Sequence, residues 1–105
     1  MDNPIEINDE LKGNLELKDS EVAVIHGMVC GDVFVRGSST LILHGIIRGN
    51  VVVEGQGTFF LHGMVYGDVT NNGGIIKHYG MIKGRLNKFS GETVVRSRAI
   101  VCESE

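Results

Sequence analysis

The chain has 105 residues, room for one domain, with 42% hydrophobic and 22% charged residues, 15 glycines, one proline and no tryptophan. That apolar fraction excludes a disordered chain, and so much glycine argues against a helical bundle. A formal net charge of −3 argues against nucleic-acid binding, and no apolar run reaches the roughly eighteen residues of a membrane span, so no nucleic acid and no membrane span are expected.

Asp2 and Glu6 stand where a secretory signal carries basic residues, which makes a cytoplasmic address the expectation. Cys30 and Cys102 lack a C-x-x-C spacing and fit reduced thiols better than a disulfide framework. Residues 1–24 read as an N-terminal cap and an irregular first coil, in which only Gly13-Asn14-Leu15 matches the repeats further along the chain. Regular repeats occupy 25–86. The phrase His26-Gly27-Met28-Val29-Cys30-Gly31-Asp32-Val33 returns as His44-Gly45-Ile46-Ile47-Arg48-Gly49-Asn50-Val51 and as His62-Gly63-Met64-Val65-Tyr66-Gly67-Asp68-Val69, eighteen residues apart each time. A fourth copy, Tyr79-Gly80-Met81-Ile82-Lys83-Gly84-Arg85-Leu86, arrives one residue early, which places a lost residue near Lys77. Residues 87–105 form a C-terminal cap, with a final strand through Val94, Val95, Ile100 and Val101.

A short fixed period means identical units that bury their apolar faces only against their neighbours, so the units stack. Cut into sixes, each coil gives three short segments in which aliphatic residues alternate and glycine often opens the segment, the period-two signature of strands. The fold expected is all-β: a single-stranded, three-sided parallel β-helix (a solenoid) of about 18 residues per coil and five to six coils. Alternation turns Ile25, Val29, Val33, Val35, Leu41, Leu43, Ile47, Val51, Val53, Phe59, Leu61, Val65 and Val69 inward. Gly31, Gly49 and Gly67 open the second side, at corners expected to need positive φ. Asp32, Asn50 and Asp68 come next, with side chains expected to bond backbone amides in the bend.

At these phrases, from Gly13 to Leu86, the chain resembles the bactofilins, bacterial cytoskeletal proteins with a right-handed three-sided β-helix. The resemblance implies self-association into filaments without nucleotide and without catalysis. The three histidines, and the lack of flexible proline-rich tails, depart from that family's pattern. Left-handed hexapeptide coils share the eighteen-residue period but favour an aliphatic residue at each segment start, where glycine stands here, so right-handed ranks ahead of left-handed.

His26, His44 and His62 form an outward column, flanked by Val24, Ile42 and Phe60 on one side and by Met28, Ile46, Met64 and Met81 on the other. Such an apolar strip marks a contact surface, or ground covered by the segment Pro4 to Ile7, or an inverted assignment of inside and outside. Stacked imidazoles lack a common focus for a metal, so a surface ladder is the preferred reading and no metal is assigned. No nucleophile, base or phosphate-loop constellation is present around Ser38, Ser39, Ser90 or Asn71-Asn72-Gly73-Gly74, so neither catalysis nor a cofactor is expected.

Acidic residues crowd the first coils (Asp2, Glu6, Asp9, Glu10, Glu16, Asp19, Glu21) and basic ones the last (Lys77, Lys83, Arg85, Lys88, Arg96, Arg98). Two functions are expected from this reading. The first is a bactofilin-like, self-assembling scaffold whose partner is itself. The alternative is a small protein-binding module with one protein partner, such as an immunity protein that neutralises a toxin domain.

Overall fold

The computed structural model describes residues 5–96 and 99–103, residues 102 and 103 through the backbone alone. The first coil holds β1 (Ile5–Ile7), β2 (Glu10–Leu11) and β3 (Leu15–Leu17), and the second holds β4 (Val22–Ile25), β5 (Met28–Val29) and β6 (Val33–Val35). The third consists of β7 (Thr40–Leu43), β8 (Ile46–Ile47) and β9 (Val51–Glu54), followed by β10 (Thr58–Leu61) and β11 (Met64–Val65). The long strands β12 (Val69–His78) and β13 (Met81–Val95) each run on past a corner, at Gly73 and Gly91, and β14 (Ile100–Glu103) ends the described chain. The described residues include no helix long and apolar enough to cross a membrane.

Every strand pairing is parallel and joins a segment to its equivalent one coil on. The first side stacks β1, β4, β7, β10, the end of β12 and the end of β13. The second stacks β2, β5, β8, β11, the start of β13 and β14, and the third stacks β3, β6, β9, the start of β12 and the middle of β13. The chain is therefore a parallel β-solenoid of about five turns with about 18 residues per coil.

Parallel pairing in register carries each inward side chain onto its equivalent, so burial runs in continuous columns. Val33, Val51 and Val69 are paired in sequence and fully buried. Every inward position read from the alternation is fully buried as well, and Leu17, Ala23, Ile76 and Ile82 extend the same columns. Each aliphatic side chain withdrawn from water in this way contributes roughly 1.5–3 kcal/mol.

Among the described residues, three buried polar ones interrupt the apolar interior: Ser39, Asn71 and His78. Ser39 Oγ donates to the Arg36 carbonyl across its turn at 2.6 Å. The Asn71 amide donates to Glu92 O and Thr93 Oγ1, both at 3.0 Å, and its oxygen accepts the Gly74 amide at 2.9 Å. Ser39 and Asn71 thus replace the water bonds they lose. His78 occupies the column of Ile25, Leu43 and Leu61, where sequence alternation foresees an aliphatic residue.

The corners depart from the expected mechanism. Gly31, Gly49 and Gly67 do not have positive φ; the glycines that do are Gly13, Gly37, Gly55, Gly73 and Gly91. What requires glycine at Gly49 is close stacking, because a Cβ there would collide with the Gly31 carbonyl and Asp32 Oδ1 of the preceding coil. At this corner only Gly13 of the first coil has positive φ (124°); in the later coils positive φ belongs to a different corner, where Gly37 (63°) and Gly55 (64°) sit inside turns closed by Ser39 N–H to Arg36 O and Gly57 N–H to Glu54 O. A non-glycine residue pays roughly 1–2 kcal/mol for that conformation.

Two further boundaries shift. Thr58 pairs with Ile75 while Val51 pairs with Val69, so the lost residue lies at the Asn72–Gly74 corner, a few residues before Lys77. The final stretch is two strands on two sides: Val94 and Val95 pair with Lys77 and His78 on the first, and Ile100 and Val101 pair with Met81 and Ile82 on the second. Phe89 falls between the paired Lys88 and Ser90, and this bulge leaves its ring 74% exposed.

Candidate interaction surface

The repeated phrase places one outward histidine at each turn from the first side to the second. His26 and His44 stack with ring centroids 5.3 Å apart and planes within 8°, and His44 and His62 stack in turn at 5.2 Å and 15°. The ladder runs on beyond the histidines. Tyr79 stacks on His62 at 4.7 Å and 3°, and the Arg96 guanidinium lies 5.7 Å from the Tyr79 ring centroid. Those two members are missed by sequence reasoning, although the offset of the fourth copy points to Tyr79.

Beside each ring stands a glycine. A Cβ at Gly45 would strike the Gly27 carbonyl, and one at Gly63 the Gly45 carbonyl, so the backbones of successive coils approach too closely for any side chain. Both amides of each corner also share one acceptor: His44 and Gly45 donate to Ile25 O at 2.8 and 2.9 Å. The result is a bare glycine floor next to a wall of stacked rings.

The opposite wall is the outward column of the second side. Met28, Ile46, Met64, Met81 and Ile100 pair in register along it, Glu10 opens it, and Ile100 is 47% exposed. Floor and walls enclose an open groove of about 580 Å³ along the rod, lined by His26, His44, His62, Ile46, Met64 and Met81 among others. Val24, Ile42 and Phe60 also lie outward and half-buried, but in the pairing column of the first side, across the ring ladder from the groove. The expected strip therefore bends around an edge of the solenoid.

The other readings of that strip are corrected. Ile5–Ile7 adds to the first side as strand β1, so it extends the stack and does not cover the strip, and Pro4 lies outside the described residues. The inverted assignment fails because the alternate residues are the buried ones. Among the described residues no cluster of three or more His, Cys, Asp or Glu is placed to hold a metal. The rings are nearly parallel, so their nitrogen lone pairs, which lie in the ring planes, run side by side instead of converging on one point.

Beyond the Met column, Tyr66 is flanked by Arg48 and Lys83, whose cationic groups lie 5.8 and 5.4 Å from its ring centroid. Cys30 Sγ donates to Glu10 Oε2 at 2.9 Å. That hydrogen bond first, then desolvation and the Glu10 charge, raise the thiol pKa, so this cysteine is not an activated nucleophile. The Asn/Asp column is satisfied across coils instead of within each bend. Asp32 N–H donates to Asn14 Oδ1, Asn50 N–H to Asp32 Oδ1, Asp68 N–H to Asn50 Oδ1 and Arg85 N–H to Asp68 Oδ1, at 2.7 to 2.9 Å.

Inside the solenoid, His78 Nε2 donates to the Ile100 carbonyl at 3.0 Å, while Nδ1 is buried with no hydrogen-bond partner among the described residues. Desolvation lowers the His78 pKa, opposed by the bond to Ile100. Comparison with protein families, with characterised proteins and with solved structures found no match to this chain.

Proposed function

We propose that the chain is a non-catalytic structural module that joins further copies of itself end to end, as the resemblance to the bactofilins implies. The observation that carries this reading is the pair of open, oppositely charged strand edges at the two ends of the stack.

At the first end, Ile7 O accepts His26 N–H, so in a parallel ladder Ile7 faces β4 and the adjacent Glu6 points its N–H and C=O away from the molecule. At the last end, Arg96 N–H donates to His78 O, so Val95 points outward in the same way. No described residue pairs with the outer edge of β1 or with that end of β13. An unpaired edge is a template for another strand.

A second copy added there continues the columns already present. Ile5 and Ile7 stack beyond Thr93 and Val95, Leu11 beyond Val101 and Leu15 beyond Leu86, and the exposed Phe89 supplies an apolar anchor at the last end. The acidic first coil, with Glu6, Asp9 and Glu10, then comes against the last coil, which carries Lys88 and Arg96. A contact between two different surfaces that does not close generates an open filament.

Negative-stain microscopy and sedimentation at low and moderate salt test this. Filaments are expected for the native chain, weaker with salt, and their loss is expected in Glu6→Pro, which removes an outward N–H that the fold does not use. A single sharp species of one mass at low salt overturns the reading. That result favours instead a protein-binding module of the immunity type, for which the open groove is the supporting observation.

A further inference from the structure

We infer that the groove beside the histidine ladder is a lateral pairing surface for a second, antiparallel copy of this chain, related by a two-fold axis that crosses between Ile46 and Met64. This rests on the self-association reading in one respect, the identity of the partner, and not on growth at the ends.

The charges at the two ends of the groove select that arrangement. Asp9 and Glu10 lie at its first-coil end, and Arg96, over the Tyr79 ring, lies at its last-coil end, with Ile46, Met64 and the rings of His44 and His62 between them. Two copies laid side by side in the same direction bring carboxylates against carboxylates and cations against cations. Reversing one copy brings the acidic first-coil end, with Asp9 and Glu10, towards Arg96 at both ends at once, and like-charge juxtaposition is what excludes wrong registers at an interface.

The repeat supplies the second reason. Outward residues of this column are spaced by the parallel-strand distance, about 4.8 Å, so the surface best matched to it, rung by rung, carries the same spacing. In the antiparallel pair Ile46 meets Met64 of the second copy and Met28 meets Met81, and flexible thioethers fill the gaps between rungs. His44 comes opposite His62, and His26 opposite Tyr79. Each contact is made twice, as two-fold symmetry requires.

Cross-linking in a Cys30→Ser, Cys102→Ser background reads the arrangement, with Glu6→Pro added to suppress end-to-end growth. Met28→Cys combined with Met81→Cys puts two thiols three coils apart in one chain, about 14 Å, beyond the span of a shorter bis-maleimide. The expected result is a covalent dimer from the double variant, at least tenfold more than from Met28→Cys alone, and its loss when Ile46→Lys is added. Circular dichroism of each variant confirms the fold, and the same comparison without Glu6→Pro covers the case in which that change unfolds the chain.

A dimer from Met28→Cys alone means a parallel pair and overturns the inference. So does a monomer in every variant, which leaves the groove to a different partner. Filaments in the native chain with no lateral cross-link defeat this inference while the end-to-end reading stands; a monomeric native chain defeats both.

Discussion

Asp32 Oδ1 accepts the backbone amide of Asn50, 2.8 Å away on the next coil, and Asn50 Oδ1 does the same for Asp68. The alternation of charged and neutral side chains keeps the carboxylates two coils apart while every amide is satisfied. Asn50→Asp places three carboxylates in a row at about 4.8 Å spacing. Its stability is expected to fall at low ionic strength and to recover partly with added salt. Asn50→Ala strands the Asp68 amide and costs about 1–3 kcal/mol with little salt dependence. Urea unfolding at two salt concentrations separates the two.

The two kinds of glycine predict two magnitudes. Gly45→Ala drives a methyl into the Gly27 backbone carbonyl, which cannot move without parting the coils, whereas Gly55→Ala meets nothing nearer than the Gly37 amide nitrogen at 3.3 Å, a contact that a few tenths of an ångström relieve, and pays mainly for its φ of 64°. Gly55→Ala is expected to cost about 1–2 kcal/mol. Gly45→Ala is expected to cost more than that or to prevent folding, as measured by thermal melting.

The inside and outside of the second and third coils were legible because period-two alternation inside an eighteen-residue period leaves only one consistent assignment. The ladder beyond His62 was not, because the residue missing at Asn72–Gly74 shifts Tyr79 and His78 by one place just where the phrase degrades. The corner glycines were legible as corners but not as to cause, since close approach of two coils and a left-handed turn both select glycine and look alike in one sequence. Cross-coil bonding by Asp32 and Asn50 is likewise hidden, because the acceptor and donor are eighteen residues apart.

Face assignment has a direct test in two neighbouring side chains. Leu43 is fully buried and Ile46 is half-buried at the groove. Leu43→Ala is expected to cost about 2–5 kcal/mol. Ile46→Lys is expected to leave the melting temperature of the isolated coil stack nearly unchanged while abolishing lateral pairing.

His78 sets a pH dependence whose sign comes from its burial. Its folded pKa lies below the ordinary imidazole value of 6.5, so the unfolded chain binds more protons there. Stability is full above that value and falls as pH drops below it, levelling off once the pH passes below the folded pKa. A fall in melting temperature between about pH 7 and pH 5.5, flattened in His78→Leu, is the expected outcome of calorimetry on both proteins.

The central claim is that equivalent residues of successive coils lie directly over one another. Methyl–methyl nuclear Overhauser effects among Val33, Val51 and Val69 test it with the fewest assumptions. Strong cross-peaks are predicted for Val33 with Val51 and for Val51 with Val69, about one strand spacing of 4.8 Å apart, and only a weak one or none for Val33 with Val69. A pattern in which Val51 contacts neither neighbour contradicts the account.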